Sequence, residues 1–138
     1  MNNIEIWKDI PGYEGLYQAS NLGRIKSVDR YVKWNNRYHK EYKQLKKGKI
    51  LKPAIDNYGY LIVGLSKNNK LKSKRVHQLV VETFKPDRNN FKIMDDEIRE
   101  NINLKKLHIN HIDENKLNNN IDNLEWCTHK YNQNWRCI

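Results

Sequence analysis

Apolar positions along this chain change their period several times, and each change marks an element. Tyr60-Leu61-Ile62-Val63-Gly64-Leu65 is a short, nearly continuous apolar run opened by the turn formers Asp56-Asn57-Tyr58-Gly59. It predicts a strand, a tight turn at Asn68-Asn69 and a returning strand over residues 72–76. Val76, Leu79, Val80 and Phe84 then fall at helical spacing, which predicts a short helix over 77–84 that stops before Pro86. Near the start, Tyr17-Gln18-Ala19-Ser20 and Arg24-Ile25-Lys26-Ser27-Val28 flank a turn at 20–23 and read as a hairpin. Residues 107–111 alternate strictly: Leu107, Ile109 and His111 share one face of a strand, His108 and Asn110 the other. That strand must end near Ile112, because Asp113-Glu114-Asn115-Lys116 is a turn sequence. Leu124 and Trp126 anchor a second strand or a helix entry, and Thr128 stands where it can cap a last helix containing Lys130, Tyr131 and Asn132.

The remaining stretches carry no clear period. Residues 31–48 read as a solvated linker or a long hairpin arm, whose positive charge would suit the backbone of a nucleic acid. Residues 87–106 read as a polar insert holding a helical turn around 95–99. The expected fold class is α+β in two parts: a β-rich module over 1–50 and a second module over 51–138. Their boundary falls between about Gly48 and Gly59, and the two are expected to touch.

Charge narrows the partner. The 26 Lys and Arg against 16 Asp and Glu give a net charge of +10, which calls for a polyanion. Basic residues interleaved with aromatics and amides favour nucleic acid over a membrane surface, since no amphipathic face supports the latter. Arg24, Lys26 and Arg30 alternate along the first hairpin, and Lys72, Lys74 and Arg75 close the later strand. Arg24, Lys26, Lys72, Lys74 and Arg75 are the candidates for phosphate contacts. Cys127 and Cys137 do not make a disulfide framework or a paired zinc knuckle, and Cys127 reads as a small buried residue. Residues 1–7 lack a basic start and an apolar run, and no segment is long enough to span a bilayer, so a cytoplasmic protein is expected.

Chemistry concentrates near the end. His111, at a strand end beside a loop, can reach a phosphate, and Asn110 and Asn132 carry amide oxygens suited to a hard cation. His108 faces away from His111, His129 lies three residues before Asn132, and neither is assigned a role. His77 reads as a packing residue at the start of its helix.

Asn110-His111-Ile112-Asp113, Asn115-Lys116-Leu117-Asn118-Asn119, Asn123-Leu124-Glu125-Trp126-Cys127-Thr128 and Asn132 resemble the HNH motif of phage and intron homing endonucleases. Val76-His77-Gln78-Leu79-Val80 with Phe84 resembles the segment preceding that motif. Residues 7–24, from Trp7-Lys8-Asp9-Ile10-Pro11-Gly12-Tyr13 to Asn21-Leu22-Gly23-Arg24, resemble the DNA-contacting module found ahead of these nucleases. The resemblance implies a ββα-metal fold and hydrolysis of duplex DNA with a divalent cation, Mg²⁺ or Mn²⁺, leaving 5′-phosphate and 3′-hydroxyl ends. By position it implies His111 as general base, Asn110 and Asn132 as metal ligands, and Asn123 as the residue that pins the loop and orients His111. It also implies a phage or bacterial source, a chain acting as monomer or weak dimer, no small-molecule cofactor, and nicking of one strand per site. Two departures stand out: Asn110 occupies a position where some relatives carry Asp, and Glu114 one where Gly is common. Rival readings are a regulator that keeps the scaffold without cutting, an RNA-directed protein, and a basic nucleoid-type binder.

Overall fold

The computed structural model describes residues 4–35 and 41–135. Strands β1 (Trp7–Asp9), β2 (Tyr17–Ser20) and β3 (Ile25–Ser27) form an antiparallel sheet with β2 in the middle. The expected hairpin is therefore present, with one more strand ahead of it. Ala19 and Ile25 are register partners facing inward, and with Tyr17 they are buried.

β4 (Arg30–Asn35) and β5 (Glu41–Lys46) pair as a two-stranded ribbon, so on the described residues the arm is a hairpin; residues 36–40 lie outside them. Tyr31, Tyr42 and Leu45 are exposed on it. Arg30 stands opposite Lys46, and Lys33 opposite Lys43, pairings that repel in water. Among the ribbon's described side chains, Arg30–Lys33 and Glu41–Lys46, none is buried, which fits the lack of a period in its sequence.

β6 (Ala54–Ile55), β7 (Leu61–Lys67) and β8 (Lys70–Arg75) make a second three-stranded sheet around β7. Asn68 and Asn69 both take positive φ, 54° and 61°, as a two-residue turn of the I′ kind requires. α1 (Val76–Phe84) follows β8 directly and ends before Pro86, as its spacing predicts. The helical turn expected around 95–99 is displaced. A plain turn forms there, because Glu97 Oε1 is drawn to the Met94 backbone N–H at 2.9 Å and the Thr128 hydroxyl at 2.5 Å. The helical pieces of the insert are 3₁₀ turns at Arg99–Asn101 and Leu104–Lys106.

β9 (His108–His111) and β10 (Leu124–Cys127) form an antiparallel hairpin, followed by α2 (His129–Trp135). The Thr128 hydroxyl accepts from the Tyr131 N–H at 3.2 Å and caps α2 as anticipated. Register sets His111 opposite Leu124, Asn110 opposite Glu125, Ile109 opposite Trp126 and His108 opposite Cys127. One face, with Leu124 and Trp126, joins the core beside α1, and the other turns toward α2. Burying Leu124 completely contributes roughly 2 kcal/mol.

A single apolar cluster takes Ile10 and Ile25 from the first part and Val63, Val80 and Leu124 from the second. A second seam joins them. The Ile121 N–H donates to the Asn21 carbonyl at 2.9 Å, and Gly23, at φ +94°, lies against the Asn119 backbone so closely that a Cβ there would stand 2.7 Å from the Asn119 carbonyl carbon.

Candidate active site

The loop between β9 and β10 is tied together by its asparagine amides and the Asp113 carboxylate. Asp113 Oδ1 accepts from the Asn115 N–H at 2.8 Å, and its Oδ2 from Asn118 Nδ2 at 2.8 Å. These bonds, that to Asn118 foremost, hold the Asp113 carboxyl below its ordinary range. Asn123 spans the loop: its Oδ1 accepts from the Asp113 N–H at 3.0 Å, and its Nδ2 donates to Asp113 Oδ1 and to the Asn118 carbonyl, both at 2.9 Å. Glu114 takes φ +64° at the tip, where glycine would be unstrained.

Closing the loop carries Asn119 to His111, with Asn119 Oδ1 2.9 Å from His111 Nε2. An amide oxygen only accepts, so Nε2 carries the hydrogen and Nδ1 is the basic nitrogen of the neutral ring. His111 is more enclosed than its place at a strand end predicts, at 6% exposure. Its ring packs 5.1 Å from that of His77 and 5.9 Å from that of Tyr60. His77 does pack at its helix start, and its Nδ1 is buried without a hydrogen-bond partner. Burial, with His111 and Arg75 nearby, pushes its pKa down to about 3, so the ring is neutral.

Tyr60 is a residue the sequence reading did not single out. Arg75 lies 4.4 Å from its ring centre and Lys116 4.8 Å, so two cations meet over the aromatic that covers His111. Its only signal in the sequence is its place at the start of the apolar run.

Asn110 is 3% exposed, and its Nδ2 donates to Glu125 Oε1 at 3.0 Å. That bond directs the amide nitrogen to the carboxylate and leaves the carbonyl oxygen as the side chain's acceptor atom. Glu125 was also missed, although the alternation of Leu124, Glu125, Trp126 and Cys127 sets it on the face of Asn110. Asn132, half-buried on α2, lines an open cavity of about 490 Å³ with His108, His129 and Tyr60. Pleating puts His108 and Asn110 on one side of β9, so the two asparagines are on the α2 side. Burial, with His129 beside it, lowers the His108 pKa. Cys127 is fully buried, and its thiol is pushed up to about 12 by burial, with Glu125 and Glu97 adding to it. Cys137 lies outside the described residues.

The candidate phosphate-binding residues divide. Lys26 Nζ lies 4.3 Å and Arg24 Cζ 5.7 Å from the Trp7 ring centre, so both flank one tryptophan in a cleft of about 500 Å³ that Lys49 also lines. Arg30 departs from that stripe by starting β4. Arg24 pairs with Glu5, which lowers the Glu5 pKa. Lys72 and Lys74 share one side of the β8 pleat; Arg75 takes the other, bonded to Asp56 Oδ2 at 3.0 Å. Among the described residues no helix is long and apolar enough to cross a membrane.

Residues 5–66 match the model of the NUMOD4 motif, and residues 100–134 match that of the HNH endonuclease family. L245, an HNH endonuclease of Acanthamoeba polyphaga mimivirus, is 45% identical over 84 residues, which is 61% of this chain and 21% of that protein. DNA endonuclease I-HmuI of Bacillus phage SP01 is 36% identical over 126 residues, 91% of this chain and 54% of the phage protein. A solved structure of DNA binding and cleavage by the HNH homing endonuclease I-HmuI has a TM-score of 0.65 at 33% identity, covering 96% of this chain and 57% of that one. This chain thus spans about half the length of the phage protein and about a fifth of the mimivirus one. In the order NUMOD4 motif then HNH motif, on a fold shared with I-HmuI, the chain is similar to HNH endonucleases at both ends.

Proposed function

We propose that this chain is a metal-dependent DNA endonuclease that nicks one strand of duplex DNA per site. The observation that carries the reading is the His111–Asn119 pair at the end of β9, on a loop tied by Asn123, with Asn110 on the opposite pleat of β9 and Asn132 on α2, which packs against that strand.

His111 Nδ1 is the nitrogen that takes a proton from the attacking water, while Asn119 holds Nε2–H and keeps the ring from turning. Asn123 fixes the loop that presents Asn119. The donor set suits a hard divalent cation: amide oxygens of Asn110 and Asn132, with the Glu125 carboxylate on Asn110 supplying the charge a neutral amide lacks. Mg²⁺ or Mn²⁺ bound there would supply stabilisation of the negative charge that develops on a phosphate and its departing 3′ oxygen. Lys26 beside Trp7, and Lys72 and Lys74 on β8, are the cations that track the DNA backbone. Residues 1–50 act as the DNA-contacting module and 51–138 as the nuclease, working as a monomer or weak dimer in the cytoplasm of a bacterial host, for a phage-borne or bacterial gene. I-HmuI, the DNA endonuclease of a Bacillus phage, supports this assignment.

The test is cleavage of supercoiled plasmid with Mg²⁺ or Mn²⁺, using EDTA and His111→Ala as controls. Nicked product that needs the cation and disappears with His111→Ala is expected. Tight DNA binding without product would favour the second reading, a regulator that keeps the scaffold but does not cut, to which the neutral, 3% exposed Asn110 gives some support.

A further inference from the structure

His108 and His129 are not used by the mechanism above, yet the fold brings them together from β9 and α2. Their ring centres are 4.7 Å apart and the planes are inclined at 51°. The rings are tilted against each other and not stacked face to face. An imidazole nitrogen bound at about 2.1 Å sets a cation about 3.2 Å from the ring centre, so two rings at near-right to tetrahedral angles stand about 4.6–5.3 Å apart. The observed spacing falls in that range.

The surroundings select for a cation as well. Both rings line the open cavity of about 490 Å³ with Asn132, which is large enough for a partly hydrated ion. His129 is exposed and His108 half-buried, so entry from solvent is open. Cys127, opposite His108, is fully buried and does not line that cavity. The Glu125 carboxylate, two residues along that face, lends negative charge.

We propose that His108, His129 and the Asn132 amide oxygen form a site for a borderline transition cation, of the Mn²⁺, Co²⁺, Ni²⁺ or Zn²⁺ kind, so that this nuclease is tuned away from Mg²⁺. Imidazole nitrogen favours these ions, whereas Mg²⁺ prefers oxygen. The inference rests on the reading of Asn132 as a cation ligand.

The experiment is titration of the full chain with Co²⁺ in the absence of DNA, following the visible ligand-field band and the imidazole nitrogen resonances. A single Co²⁺ is expected to broaden His108 and His129 first. His108→Gln and His129→Gln should each weaken Co²⁺ binding at least tenfold, with the circular dichroism of the parent retained. Cleavage of plasmid should show a Mn²⁺ to Mg²⁺ rate ratio that falls at least tenfold in either variant. Co²⁺ that leaves both resonances untouched, or that binds both folded variants as tightly as the parent, would overturn the site, and the resonance measurement decides if a variant does not fold. Co²⁺ bound at the pair without any DNA cleavage would support the site while rejecting the nuclease reading. Mg²⁺-driven cleavage with no Co²⁺ effect on the two imidazoles would do the reverse.

Discussion

Asn119 Oδ1 holds His111 Nε2 at 2.9 Å, and both residues are more than nine-tenths buried. One bond thus sets the tautomer of the candidate base, and the polypeptide that sets the bond is the loop tied by Asn123. Removing it should separate catalysis from binding. Asn119→Ala is predicted to lower the single-turnover cleavage rate by on the order of 10²-fold with DNA affinity unchanged. Asn119→Asp should place a carboxylate on the imidazolium and raise the apparent pKa of the acid limb of the rate profile by about one unit. A rate profile that does not move in Asn119→Asp would remove Asn119 from the positioning role.

Gly23 is the other side of that residue. A methyl group there meets Asn119 backbone at 2.7 Å, in a conformation that L residues rarely adopt. Gly23→Ala is predicted to cost at least about 2 kcal/mol in urea unfolding. Because the strain is delivered to Asn119, the rate should drop even at temperatures where the variant is fully folded.

Glu114 reports the opposite situation, a side chain held at φ +64° on an exposed turn. Glu114→Gly removes the strain but adds freedom to the unfolded chain, and the balance is expected to favour the variant by about 0.5–1 kcal/mol. A lower urea midpoint would show that Glu114 makes a compensating contact.

His77 predicts how stability follows pH. Its folded pKa, about 3, lies below the unfolded value of about 6.5, so the unfolded chain binds the extra proton between these limits. Its contribution is complete above pH 6.5 and is lost as pH falls toward 3. Going from pH 7 to pH 5 should cost about 2 kcal/mol from this residue alone. His77→Phe should flatten that portion of the stability curve, and an unchanged slope would refute the assignment.

The basic candidates should not be equal. Lys26→Ala is expected to reduce the slope of log affinity against log salt by about one unit. Arg24→Ala and Arg75→Ala should reduce it by less, since Glu5 and Asp56 already offset those charges. Fluorescence anisotropy on duplex DNA across a salt series measures all three, and equal slopes would contradict the division.

Much of this was legible because one face of each element is buried. Val63 and Leu65 announce β7 through an apolar run, Leu79 and Val80 announce α1 through spacing, and Thr128 announces the start of α2, whereas Leu124 and Trp126 left a strand or a helix entry open until β10 was seen. The arm over residues 31–48 was legible only as an alternative, since no buried face imposes a period on the described side chains of β4 and β5. The helical turn at 95–99 failed because Glu97 answers to Thr128, thirty-one residues away, and local pattern carries no record of such a partner. In the candidate site, His111 stood out by its place at a strand end beside a loop, and the roles given to it and to Asn123 came from the resemblance to the HNH motif. Tyr60, Glu125 and the facing of His108 on His129 could not be read, because each depends on a register or a packing between segments distant in sequence.

The seam of Gly23 on Asn119 and Asn21 on Ile121 has a consequence for the order in which the molecule is completed. The loop that orients His111 leans on a turn made near the other end of the chain. As synthesis proceeds from the N-terminus, the receiving turn is in place well before the loop that docks on it. A fragment that lacks the turn would keep every residue of the HNH motif and still present His111 without its buttress. On the proposed nuclease reading, a chain in which the turn and the loop have not yet met would lack the support of its candidate base.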